Sequence, residues 1–191
     1  EDSILYIGKD EREISKIKTK IDWLLPDTQI LLFQAWDQIP YDQVSPSKQT
    51  QIERLETLNS LINNQSKKII LTTVNSIIQK VIPNEIIKQE SLSLIVNQKI
   101  IFNNIINSLT VLGFQRTSVV REKSEFSVRG SIIDIFPTDR DLPIRLDFFD
   151  DKIESIYEFD PLTQKRISKI NDKIEFNISS ELLLNDETIN L

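Results

Sequence analysis

The sequence predicts an α/β chain in two parts: a parallel sheet with helices, then an α+β domain with an antiparallel sheet and one main helix. Three observations predict it. Apolar runs of strand length alternate with segments of helical spacing up to about residue 90. Beyond that point strand candidates follow one another with only short connections. Prolines fall between these segments rather than inside them.

Residues 4–7 (ILYI) are a short apolar run, and Ile14, Ile17, Ile21 and Leu24 recur at helical spacing across 10–25, giving a strand and then a sheet-packing helix. Pro26-Asp27 breaks the pattern, and QILLF at 29–33 follows as a buried strand. Ile52, Leu55, Leu58 and Ile62 line one face of a second helix, and KIILTT at 68–73 is a third strand. A short third helix, 74–81, is expected to end before Pro83. Strands separated by helices pair in parallel, because parallel neighbours need crossover connections.

The second part opens with a strand at 91–97 and an amphipathic helix carrying Phe102, Ile105, Ile106, Leu109 and Leu112, stopped by Gly113 at the C′ position. Strand candidates at 114–121, 125–136, 143–150 and 152–159 follow, punctuated by Gly130, Pro137, Pro143 and Asp150-Asp151. Their connections are too short for crossovers, so antiparallel pairing is expected throughout. Gly130 is read as a bulge or a close backbone approach. One further strand candidate lies at 165–176, and the domain boundary is placed near 85–92.

Composition removes whole classes of chemistry. Among 191 residues there is no His, no Cys and no Met, which excludes Ser-His-Asp and Cys-His catalysis, thiolate or imidazole zinc sites, and disulfides. Only Gly8, Gly113 and Gly130 occur, so no glycine-rich phosphate loop can be written. The net charge is −6, with 23 basic against 29 acidic side chains, and residues 1–90, 91–160 and 161–191 are each net negative. The best basic cluster, Lys16, Lys18 and Lys20, has acidic neighbours, so direct tracking of nucleic-acid phosphates is disfavoured. No apolar run is long enough to anchor the chain, and without a starting Met or a basic leader it reads as an internal, cytoplasmic segment.

The strand 143–150 is the most informative. Its alternation puts Ile144, Leu146 and Phe148 on one face and Arg145, Asp147 and Phe149 on the other. If the first set faces the helix, Phe149 stands on the outer face beside Arg145, and Arg129 of the preceding strand candidate points the same way. Two guanidinium groups with an aromatic ring suit a partner carboxylate and an apolar pocket. The competing reading tucks Phe149 under a neighbouring segment and leaves both arginines merely solvated. Asp134, Asp147, Asp150, Asp151 and Glu154 are read as turn residues and a solvated strand face rather than a metal or paired-carboxylate site. The loop 36–47, with Trp36 and Tyr41, either stacks bases or covers the edge of its own domain.

FQAWDQIPYDQVSPS (33–47), ILTTVNSIIQKVIP (70–83), EFSVRGSIIDIFP (125–137) and LPIRLDFFDDKIESIYEFDPLTQKR (142–166) together resemble the bacterial transcription-repair coupling factors, in motif order and spacing and over nearly the whole chain. The resemblance is to the N-terminal module of that family, itself similar to the excision-repair protein UvrB. It implies a partial RecA-like domain at 1–90, an inserted UvrA-binding α+β domain at 91–177, and at 178–191 the start of a segment returning to the first domain. It also implies a non-catalytic adaptor that binds UvrA through Arg129, Arg145 and Phe149. No cofactor is expected in these residues. ATP with Mg, double-stranded DNA and RNA polymerase belong, by the same resemblance, to other parts of the parent protein. Gln34 stands where Pro is expected in many relatives, and UvrB's tyrosine-rich DNA hairpin has no counterpart. Two alternatives stay open: the nucleotide-binding half of a UvrB-type helicase, and a nucleic-acid module using the Trp36/Tyr41 loop.

Overall fold

The computed structural model describes residues 3–38, 46–63 and 66–181, which divide into two compact units, 1–81 and 82–191. Tyr41 and the tail 182–191 lie outside the described residues.

In the first unit β1 (Ile4–Gly8), α1 (Glu11–Leu24), β2 (Gln29–Phe33), α2 (Lys48–Asn63), β3 (Lys68–Thr73) and the single turn α3 (Val74–Ile77) follow in order. The strands form a parallel sheet ordered β1-β3-β2. Ile14, Ile17 and Ile21 of α1 cover one face, packing with Tyr6, Ile30, Leu32, Ile69 and Leu71. Leu24, predicted to share that stripe, is exposed. The other face meets α2, whose buried Arg54 was not expected: its guanidinium lies over the rings of Phe33 and Trp36 and donates to the Gln34 carbonyl at 2.6 Å. Trp36 therefore covers its own unit. The predicted helix 74–81 is only the single turn α3, capped by the Thr73 hydroxyl, and α4 (Asn84–Gln89) starts afresh after Pro83.

The second unit is built on a six-stranded sheet ordered β10-β9-β8-β7-β6-β5. Its strands are β5 (Gln115–Arg116), β6 (Glu125–Arg129), β7 (Ile132–Phe136), β8 (Ile144–Phe149), β9 (Lys152–Phe159) and β10 (Arg166–Ile170). Helix α5 (Phe102–Val111) covers one face, and Phe102 meets Phe148 edge-on at 5.0 Å between centroids. Phe126, Ile133, Ile135, Ile144 and Leu146 fill the core beneath it, where alternation predicts them, and Ile153 and Ile156 of β9 join them on the same face against strict alternation.

Several strand expectations are corrected. Gly130, at φ +60°, is no bulge but the first residue of a two-residue hairpin loop between Arg129 and Ile132. The candidate 125–136 is thus two strands. One bulge lies in β9 instead, where Glu154 is the extra residue between the Asp147–Ser155 and Phe148–Ile153 pairs, and a second register shift falls between Arg166 and Ser168 of β10. The candidate 114–121 shrinks to β5, which runs parallel to β6, because a two-residue strand needs only a wide loop to come alongside. The run 165–176 is also two strands: β11 (Ile174–Asn177) leaves the main sheet to pair with β4 (Ser91–Leu94). Gly113, at φ +87°, closes α5 in a Schellman motif, with Phe114 N–H bonded to Leu109 O at 2.9 Å and Gly113 N–H to Thr110 O at 3.0 Å. Residues 178–181 remain packed on this unit, Ser179 N–H donating to Leu112 O.

Candidate functional site

The sheet face opposite α5 carries Arg129 on β6, Ile132, Asp134 and Phe136 on β7, Arg145, Asp147 and Phe149 on β8, and Ser155, Tyr157 and Phe159 on β9, placed by cross-strand pairing and by alternation along each strand. One end of this face is covered: Val120, Phe136 and Phe159 form a small second core. The other end is an open depression floored by Ile132, Asp147 and Ser155 and walled by Tyr157, Arg166 and Lys169.

Phe149 is 69% exposed although its neighbour Phe148 is buried. An exposed phenylalanine held at the end of a paired strand keeps its apolar area in water. Phe149 pairs in register with Lys152, and the tight turn between β8 and β9 puts Asp150 at φ +51°.

The three sequence-predicted residues share one face, but they are not equivalent. Arg145 is 8% exposed, so the outward-facing, solvated arginine is corrected. Its Nε and Nη2 grip Asp134 bidentately at 2.7 and 2.9 Å, its Nη1 donates to the Gln164 carbonyl at 3.1 Å, and its guanidinium lies 4.4 Å from the Phe159 ring centroid. Arg129 is the more open, its side chain 43% exposed, and donates Nη2 to Asp134 Oδ2 at 2.5 Å.

Asp134, expected on a solvated face, is fully buried and joins both arginines. It fixes the guanidinium planes, so it is structural to the site. The signal for this arrangement was Phe136 and Phe159 falling on the outer face by alternation, which marks that end as covered. Sequence reading also missed Gln164. At φ +62° it donates Nε2 to the Val120 and Pro161 carbonyls, and its Oε1 accepts from Arg145 and Arg129. Asp160 holds this loop: its Oδ1 accepts from Thr163 N–H at 2.7 Å and Leu162 N–H at 2.8 Å. The Thr163 bond, with Leu162 in support, keeps the Asp160 carboxyl below the ordinary aspartate range.

The nucleotide alternative would use the carboxyl ends of the parallel strands in the first unit, where Lys9, Arg12, Ala35, Thr73 and Asn75 line a crevice at the start of α1. That helix end already meets its own carboxylates. Asp10 caps Glu13 N–H at 2.9 Å, and Glu11 and Glu13 lie in the first turn. They occupy the positive end of the helix and would repel a phosphate. Among the described residues no group of acidic side chains is arranged to hold a metal ion, and no helix is long and apolar enough to cross a membrane.

Residues 92–178 match the model of the UvrB interaction domain family. The chain is 30% identical over 186 residues, 97% of its length and 16% of the relative's, to a transcription-repair-coupling factor of Staphylococcus epidermidis. It is 31% identical over 190 residues, 99% of its length and 17% of the relative's, to the protein of that name from Rickettsia bellii. With the Escherichia coli protein of that name it shares 31% over 167 residues, 87% of its length and 14% of the relative's. The chain therefore spans only about a sixth of the length of these relatives.

Proposed function

Residues 92–178 belong to the UvrB interaction domain family and the whole chain is related to the transcription-repair-coupling factors, and on that premise we propose that it is a non-catalytic docking module that binds UvrA and brings nucleotide excision repair to stalled transcription. Phe149 fills an apolar pocket of UvrA. Arg129 engages an acidic group beside it, and Arg145 sets the position of Arg129 through Asp134. The observation that carries this reading is the exposure of Phe149 at the end of a strand whose preceding residue is locked in the core. No cofactor is required by these residues. ATP-driven movement on double-stranded DNA and contact with RNA polymerase are assigned to portions of the cytoplasmic parent protein outside this chain.

The test is co-elution with purified UvrA. The wild-type chain is expected to elute with UvrA, while Phe149→Ala elutes separately and keeps the wild-type melting temperature. A Phe149→Ala chain that still travels with UvrA overturns the assignment.

A further inference from the structure

A guanidinium carries five N–H donors, and how many are committed inside the protein separates three arginines of the second unit. Arg145 commits Nε, Nη1 and Nη2 to Asp134 and Gln164 and is almost fully covered. Arg129 commits only Nη2, to Asp134 and Gln164. Arg166 commits only Nη2, to Asp147 Oδ2 at 2.7 Å. Its side chain is 47% exposed and its guanidinium lies over the Tyr157 ring, 4.4 Å from the centroid. Stacking on an aromatic face fixes the guanidinium plane while leaving the outer N–H groups turned to solvent.

We propose that Arg166 is a further docking residue, and that the two guanidinium groups offered to the partner are those of Arg129 and Arg166, which grip carboxylates of an acidic protein segment on either side of Phe149. This rests on the docking reading above and names the chemistry of the partner. The sheet order places β10 and β6 each two strands from β8, so the two arginines flank the Phe149 strand. Lys169, paired in register with Tyr157, adds a second cation to the same depression. Asp147 and Glu154 also line it. A polyanionic backbone laid across the floor would meet those carboxylates, whereas single side-chain carboxylates reach the guanidinium forks without doing so. On a chain of net charge −6 this cationic pair is local and suited to an acidic segment rather than to nucleic acid.

The experiment titrates purified UvrA into the 191-residue chain and its variants at about 50 and about 200 mM salt. Arg166→Ala is expected to bind about tenfold more weakly, with a shallower salt dependence. Asp147→Asn releases Arg166 from its internal pair and is expected to bind as tightly as wild type or tighter. If Arg166 merely holds Asp147, both variants weaken together and the inference falls. It also falls if Arg166→Ala stays within about twofold of wild type, an outcome that leaves the docking reading intact when Phe149→Ala has lost binding. Failure of the wild-type chain to bind UvrA removes both. Arg166→Lys, which keeps the charge and loses the fork, gives the same comparison if the alanine variant does not fold.

Discussion

Asp134 is the sharpest test of how the proposed docking face is held together. Its carboxylate is fully buried and accepts three charge-assisted bonds, one from Arg129 and two from Arg145. Asp134→Ala removes all three and leaves the Arg145 guanidinium, almost completely covered, with only a carbonyl, an amide oxygen and an aromatic ring for company. Stranding one partner of a buried ion pair costs about 3–5 kcal/mol. Removing the exposed partner alone, Arg129→Ala, costs about 1 kcal/mol or less, because solvent screens that half of the network. With a urea slope of about 1–3 kcal/mol/M, the Asp134→Ala midpoint should fall by roughly 2 M. Both tryptophans, Trp23 and Trp36, lie in the first unit. Far-UV circular dichroism, which sees the six-stranded sheet, is therefore the reporter rather than tryptophan emission. A loss below about 1 kcal/mol for Asp134→Ala, or an equal loss for Arg129→Ala, would refute the clamp.

Two further outcomes follow from single positions. Gly113→Ala puts a Cβ 2.5 Å from that of Ser180 at φ +87°. The left-handed backbone alone costs about 1–2 kcal/mol, so a lowered melting temperature is expected, and an unchanged one would show that the 178–181 segment moves aside freely. The Asp160 carboxyl is depressed in the folded protein, so the stability it contributes is present above the unfolded value of about 3.9 and lost as pH falls through the lower folded value. The amide resonances of Leu162 and Thr163 should stay unchanged down to about pH 4 and shift below it. A transition near neutrality, or none in acid, would contradict the loop's dependence on that carboxylate.

Much of this was legible in the sequence where local pattern and tertiary environment agree. QILLF and KIILTT fall on strands at the positions expected, as continuous apolar runs do; 152–159 is a strand too, although the bulge at Glu154 brings Ile153 and Ile156 to one face, while the alternation of β8 is unbroken. The same alternation put Phe148 inside and Phe149 outside, and the bulge does not disturb this because its extra residue, Glu154, sits in the partner strand. What alternation could not supply was the second layer of covering. Loops around Val120 and Gln164 fold over half of the outer face, turning Arg145 from a solvated cation into a buried one and Asp134 from a surface carboxylate into the hub of an ion-pair network. Likewise 125–136 and 165–176 read as single strands because Gly130 and the bend before Ile174 carry no longer punctuation, while pairing partners far along the chain decide where each break falls.

The most direct measurement of the central claim is the affinity of UvrA for wild-type chain and for Phe149→Ala, taken side by side by calorimetry. About a third of Phe149 is covered in the free protein, so truncation should change folding stability by less than about 1 kcal/mol. The loss of a buried aromatic anchor at an interface costs at least ~2 kcal/mol, roughly thirtyfold in affinity. The account predicts that loss at an unaltered melting temperature; equal affinities for the two chains would contradict it.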